Sequence, residues 1–98
     1  MVKTIKIGFS RIEFNLDSGW IHVVCACFPA ETYIKDVTGT RFSPGKSIDD
    51  PVTYIIETIN GNIHVKDIGG PNQDPEKVLR KIRRHLSMMQ TIKSFSAY

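Results

Sequence analysis

The chain has 98 residues, of which 41% are hydrophobic and 23% charged, and its formal net charge at pH 7 is +3. This composition is that of an ordinary soluble globular protein, which argues against intrinsic disorder. No apolar run approaches the ~20 residues that a membrane-spanning helix needs, and residues 1–7 do not resemble a signal peptide. We therefore expect one domain over residues 1–98, a cytoplasmic location and no membrane partner.

The first third of the chain alternates apolar and polar residues in the manner of β-strands. Apolar residues fall on odd positions up to Phe9 and on even positions from Ile12 onward. Because one regular strand cannot change parity without exposing half of its apolar set, we expect a bulge, a bend or a break into two short strands near residues 8–11. Residues 17–19 predict a turn. The apolar run over residues 20–28 then predicts a central strand.

The middle of the chain contains further strand and turn signals. Residues 33–37 predict a weaker strand, which is followed by a turn at residues 38–39. Residues 52–68 predict a β-hairpin, because two apolar segments flank Asn60 and Gly61. That dipeptide is the strongest short-range hairpin signal in the chain.

The last quarter of the chain predicts one amphipathic helix over about residues 75–95. Asp74 is suited to cap the first free backbone N–H groups, and Pro75 suits the first helical position. The apolar side of the helix carries Val78, Leu79, Ile82, Leu86, Met89 and Ile92, with His85 beside them. Strands followed by one helix indicate an α+β fold: an antiparallel sheet of about four to five strands, with a single C-terminal helix packed on one face.

The positive charge of the protein is concentrated in this helical segment. Residues 75–98 hold six basic side chains and one acidic one, whereas the other residues hold seven basic and nine acidic ones. Exposed helix faces are often charged, but they usually interleave both signs. The side opposite the apolar stripe therefore predicts a contact with nucleic acid or another polyanion, and the alternative is a solvated or protein-facing surface. The predicted contact residues are Lys77, Arg80, Arg83 and Arg84.

Two cysteines, Cys25 and Cys27, raise the question of a metal or redox site. Their spacing is tighter than the C-x₂₋₄-C pairs of zinc sites, and no second cysteine pair is present. Neighbours on the same face of a strand are also poorly placed for a relaxed disulfide. Because free cysteine behaves as a small hydrophobe, we predict that both are reduced, buried and inert, and that the protein holds no metal and no cofactor.

No nucleophile, zinc-protease or phosphate-loop motif accompanies the histidines His22, His64 and His85. A cysteine–histidine enzyme would need a thiol within hydrogen-bond reach of one of them. The sequence instead predicts a small non-enzymatic binding or regulatory module. The alternative is a protein–protein interaction module, such as an inhibitor or adaptor, that acts through an uncovered sheet face or an edge strand. In that case the partner is another protein or a second copy of the chain.

Overall fold

In the computed structural model, the chain forms two antiparallel β-sheets and one C-terminal α-helix, which confirms the predicted α+β class. The structure describes residues 1–25, 29–47, 50–69 and 73–92. The first sheet contains β1 (Val2–Ile7), β2 (Ser10–Asn15), β3 (Trp20–Val24) and β4 (Ala30–Tyr33) in chain order. The second contains β5 (Val37–Ser43), β6 (Thr53–Thr58) and β7 (Gly61–Lys66), and helix α1 spans Pro75–Gln90. The described strands are thus divided between two sheets rather than gathered in one.

The change of parity near Gly8 marks a tight hairpin, so the prediction of two short strands is confirmed. Ile7 pairs with Ser10 across a two-residue turn. Gly8 opens that turn with a φ of 59°, a value that glycine adopts without a steric penalty. Chain reversal places Ile5 opposite Ile12, so the apolar residues of both strands share one face.

The strand predicted at residues 33–37 is wrong, and so is the turn predicted after it. Residues 34–36 form a short 3₁₀ turn that buries Ile34. Strand β5 then starts at Val37 and continues through Gly39, where its pairing with β6 shifts in register. A β-bulge absorbs one residue on one strand and lets the ladder continue, so a glycine there need not end the strand.

The other two strand predictions agree with the fold in position. Strand β3 lies between β2 and β4, as a central strand should, but it ends at Val24, before Cys25, which is earlier than predicted; residues 26–28 of the predicted range lie outside the described residues. The hairpin predicted over residues 52–68 is present as β6 and β7. Its closing pair is Thr58 with Gly61, so the turn residues are Ile59 and Asn60, one position before the predicted Asn60–Gly61 turn.

One cluster of buried apolar residues joins both sheets and the helix. Its main members are Ile5, Ile7, Ile12, Phe14, Ile21, Val23, Tyr54, Ile56, Val65, Val78, Ile82, Leu86 and Met89. Helix α1 contacts β5 and the 3₁₀ turn on one side and β1 and β2 on the other. The helix therefore completes a core to which both sheets contribute.

The start of α1 is as predicted. The Asp74 carboxylate accepts a hydrogen bond of 3.1 Å from the backbone N–H of Glu76, and Pro75 is the first helical residue. The helix ends at Gln90, earlier than the predicted residue 95, and residues 93–98 lie outside the described residues. Within the described parts of the chain, no helix has the length and apolar character that crossing a membrane requires.

Candidate nucleic-acid interface

Four basic side chains lie together on the solvent side of α1: Lys77, Arg80, Lys81 and Arg84, which we call the basic face. All four are exposed. They are separated by steps of three or four residues, which on a helix places neighbouring Cβ atoms about 5–6 Å apart. No acidic residue occurs from Lys77 to Gln90. The ion pairs found among the described residues involve none of the four.

This arrangement does not stabilise the helix by itself. Like charges four residues apart, as in Lys77 with Lys81 and Arg80 with Arg84, destabilise a helix by about 0.2–0.5 kcal/mol per pair. The last turn of α1 contains no basic residue, although that is where the helix dipole favours cations. A bound polyanion would relieve the repulsion, so the basic face is arranged better for binding than for helix stability.

The structure gives Arg83, the remaining predicted contact residue, a different partner. Its Nε donates to Thr40 Oγ1 at 3.1 Å and its Nη2 donates to the Thr40 carbonyl oxygen at 2.9 Å. Since Thr40 lies on β5, this guanidinium joins the helix to the second sheet. Arg83 is three residues from Leu86 and four from Leu79, so helical geometry places it at the border of the apolar stripe.

Lys81 joins the basic face because it is exposed and makes no ion pair among the described residues. At about 100° per residue, Lys81 lies about 40° from Lys77 around the helix and Arg83 about 60° from Arg80, on opposite borders of the basic face. Helical geometry alone therefore does not decide between these two side chains, whereas the hydrogen bonds of Arg83 to Thr40 do. The structure thus brings Lys77, Arg80 and Arg84 together, adds Lys81 and gives Arg83 a partner on β5.

An open depression of about 240 Å³ lies next to the basic face, between α1 and β5. It is lined by Phe42, Glu76, Leu79, Arg80 and Arg83. Glu76 contributes a carboxylate to the same wall as the two guanidinium groups. The depression is therefore less uniformly positive than the basic face.

The arginines on the two sheets differ from those of the basic face. Arg11 Nε lies 3.1 Å from a carboxylate oxygen of Glu13, and Arg41 Nε lies 3.6 Å from one of Glu57. Both pairs are solvent-exposed and contribute little to stability. Their charge is nevertheless locally neutralised, which leaves the helix as the stronger anion-attracting surface.

The cysteine and histidine side chains do not form a catalytic arrangement among the described residues. Cys25 is a free thiol, half-buried against the core rather than fully buried as predicted, and Cys27 lies outside the described residues. His22 Nδ1 lies 3.3 Å from Glu31, and His85 Nδ1 donates to the backbone carbonyl of residue 81 at 2.7 Å. Within the described parts of the chain, Cys25 makes no hydrogen bond to a histidine, and no set of three or more metal-ligating side chains converges.

Tyr54 carries the one buried side-chain polar atom without a hydrogen-bond partner among the described residues, its hydroxyl oxygen. The side chain is 1% exposed. Burial, assisted by the negative charges of Asp67 and Asp74, raises the pKa of Tyr54 to about 12. Burial also raises the pKa of Asp67. The tyrosine is therefore neutral at pH 7 and contributes packing rather than charge.

Comparison of this chain with protein-family models, with curated proteins and with solved structures finds no match.

Proposed function

We propose that the protein is a small non-enzymatic binding module that contacts nucleic acid or another polyanion through Lys77, Arg80, Lys81 and Arg84. The observation that supports this proposal is the basic face of α1, where four exposed cations lie side by side without an ion-pair partner among the described residues. Glu76, at the start of the helix, is the one acidic side chain that α1 places beside them. Guanidinium groups donate paired hydrogen bonds to phosphate oxygens, and the two lysines add mobile point charges.

Such a surface recognises phosphates rather than bases. Phosphate contacts position a protein on nucleic acid but do not distinguish one base sequence from another. Sequence recognition requires side chains that reach base edges. Binding should therefore depend weakly on sequence and strongly on salt. Each phosphate neutralised on duplex DNA changes the slope of log K against log salt by about −0.9, so three to four contacts predict a slope of about −3.

The test is fluorescence anisotropy with a labelled mixed-sequence DNA duplex, titrated at several salt concentrations. The double variant Arg80→Gln/Arg84→Gln should reduce the magnitude of the slope by about two units. The matched control is Arg11→Gln/Arg41→Gln, which removes the same charge from arginines that already face glutamates. This control should change the slope much less.

Two results would refute the proposal. One is a wild-type protein that binds neither the DNA duplex, nor single-stranded RNA, nor heparin at low salt. The other is an Arg80→Gln/Arg84→Gln protein that binds as tightly as the wild type, since the basic face would then have no part in binding.

The alternative is a contact with another protein, and one observation favours an edge strand over a sheet face. The middle of the outer face of the first sheet carries charged or polar side chains in register, which disfavours a dimer that would bury it. These residues are Lys6, Arg11, Glu13, His22 and Glu31. Val2 and the ring pair of Trp20 and Tyr33 lie towards one end of that face. Strand β7, in contrast, is an edge strand, with no neighbour on its outer side among the strands that the structure describes. Light scattering would detect a homodimer, and the basic-face substitutions should leave such a dimer intact.

A further inference from the structure

Two apolar side chains project into solvent at one end of the molecule, remote in sequence from each other. Phe9, in the turn between β1 and β2, is 82% exposed, and Ile68, just after β7, is 54% exposed. The backbone N–H of Phe9 donates to the Ile68 carbonyl oxygen at 2.9 Å, so the two residues are adjacent in space. We call this pair the apolar tip.

Glycines hold the apolar tip in place. A Cβ atom on Gly8 would lie 2.3 Å from the Ile68 carbonyl oxygen. A Cβ atom on Gly69 would lie 2.1 Å from the Phe9 ring, and Gly69 has a φ of 79°. Any other residue at either position would clash or be strained. One edge of the Phe9 ring therefore packs against the backbone at Gly69, and the remainder of the ring is exposed to solvent. Close packing of the two backbone segments, rather than a loose loop, holds the ring in this position.

Three exposed cations lie near the apolar tip. Lys6 and Arg11 face each other across β1 and β2, next to the pair that closes the turn. Lys66 ends β7, two residues before Ile68. Two acids are also present: Glu13 pairs with Arg11, and half-buried Asp67 lies between Lys66 and Ile68. The two lysines have no ion-pair partner among the described residues, so the surroundings of the tip are positive on balance.

We propose that the apolar tip inserts into the surface of a lipid bilayer that contains anionic phospholipids. An exposed aromatic and an aliphatic side chain can enter the boundary between headgroups and acyl chains, while the flanking lysines remain at the level of the headgroup phosphates. The charges favour a bilayer over an apolar protein pocket, because an anionic surface attracts all of the flanking cations at once. Binding at the surface of a bilayer needs no membrane-spanning segment.

The chain provides an internal comparison for the role of the cations. Ile59, in the turn between β6 and β7, is 69% exposed, which is similar to the apolar tip. Its neighbour in space is acidic, however: the Ile59 N–H donates to the Asp36 carbonyl at 3.0 Å, and Asn60 Nδ2 donates to the Asp36 carboxylate at 3.4 Å. An apolar side chain of similar exposure that lies beside a carboxylate should bind an anionic bilayer much less, although one cation, Lys35, precedes Asp36 in the chain.

The first experiment is cosedimentation with vesicles of phosphatidylcholine, with and without phosphatidylserine. The wild type should bind the vesicles that contain phosphatidylserine and bind pure phosphatidylcholine much less. Phe9→Ser should weaken binding about tenfold or more, because the free energy of transferring a phenylalanine side chain from water into the bilayer is lost. Ile59→Ser should leave binding unchanged, and Lys6→Gln/Lys66→Gln should abolish the preference for phosphatidylserine. Far-UV circular dichroism of each variant verifies the fold.

A second experiment reports insertion directly and does not depend on loss of binding. In a Trp20→Phe background, tryptophan is placed at either turn, as Phe9→Trp or Ile59→Trp. Phosphatidylserine vesicles should shift the emission of the first protein to shorter wavelength and leave that of the second unchanged. Soluble glycerophosphoserine should neither cause the shift nor compete with the vesicles.

Several outcomes would overturn the inference. The first is a wild-type protein that binds neither kind of vesicle. The second is a Phe9→Ser protein that binds vesicles as tightly as the wild type. The third is complete competition by soluble glycerophosphoserine. Loss of vesicle binding in Arg80→Gln/Arg84→Gln with no effect of Phe9→Ser would assign the membrane contact to the basic face instead. Failure of DNA binding alone would leave the apolar tip unaffected, so the two proposals fail independently.

Discussion

The two faces of α1 have opposite chemistry and serve different ends. The inner face is apolar and buried, with Ile82 1% exposed and Met89 fully buried in the core that joins both sheets. The outer face is basic and exposed, and its charges repel one another. The comparison shows that one helix can complete a core with one side while its other side presents cations to solvent.

Arg83 shows where one face gives way to the other. It carries the same charge as Arg80, but its guanidinium group already donates hydrogen bonds to the hydroxyl and carbonyl oxygens of Thr40. Charge type alone therefore does not identify a binding residue. The position of a side chain relative to the neighbouring strand decides whether its donors are available to a partner.

The largest expected effect is on the inner face. Ile82→Ala or Leu86→Ala should each lower the free energy of unfolding by about 2–5 kcal/mol, because each leaves a cavity in the core. Urea denaturation measures this, with Met88→Ala on the outer face as the control, for which a change within about 0.5 kcal/mol is expected. A loss below about 1 kcal/mol for both core variants would show that the inner face is not buried in solution.

The next effect concerns Tyr54, whose buried hydroxyl has no partner among the described residues. Because an unsatisfied buried polar group costs about 1–3 kcal/mol, Tyr54→Phe should leave stability at pH 7 unchanged or raise it. The folded protein holds the phenolic proton to about pH 12, compared with 10.0 for a free tyrosine. The part of the free energy of unfolding that depends on this proton is therefore fully present below pH 10. It is lost as the pH rises towards 12, because the unfolded chain gives up its phenolic proton at lower pH than the folded protein does.

Thermal unfolding of Tyr54→Phe between pH 9 and pH 12 would test this. The melting temperature of this variant should fall less with rising pH than that of the wild type, because the variant has no phenolic proton to lose at residue 54. The control, Tyr33→Phe, should show the same fall as the wild type. A Tyr54→Phe protein that is strongly destabilised at pH 7 would indicate a hydrogen bond to this hydroxyl and contradict the packing described above.

A smaller effect is expected at the border between the two faces. Arg83→Gln removes the two hydrogen bonds to Thr40 and should cost about 0.5–1.5 kcal/mol in unfolding experiments. It should change the salt slope of DNA binding by clearly less than one unit, because its donors already have partners. If Arg83→Gln left the stability unchanged and changed the salt slope of DNA binding by a full unit, Arg83 would belong to the DNA-contacting residues of the basic face.

The smallest effect on stability is expected for Arg80→Gln/Arg84→Gln. This change removes a like-charge pair, so the melting temperature should stay the same or rise slightly, by the equivalent of about 0.2–0.5 kcal/mol. Differential scanning calorimetry measures it. A marked loss of stability would mean that these side chains support the fold, and any loss of DNA binding would then need another explanation.

Local signals in the sequence were sufficient to predict several elements. The start of α1 depends on Asp74 and Pro75, which act within one turn of the chain. The apolar stripe depends on a period that the helix itself imposes. The hairpin at residues 52–68 likewise follows from a turn and its flanking segments. In each case the physical cause lies within a few residues of its effect, so the sequence by itself determined these elements and the position of the positive charge.

Other features depend on residues that are distant in sequence, and only the tertiary structure decided them. The division into two sheets, and the bulge that carries β5 through Gly39, arise from packing of strands against each other and against α1. The partner of Arg83 is a β5 residue, and the apolar tip forms only because the turn at Phe9 meets the segment after β7. Such contacts are set by how the chain buries its apolar surface as a whole, which no local pattern encodes.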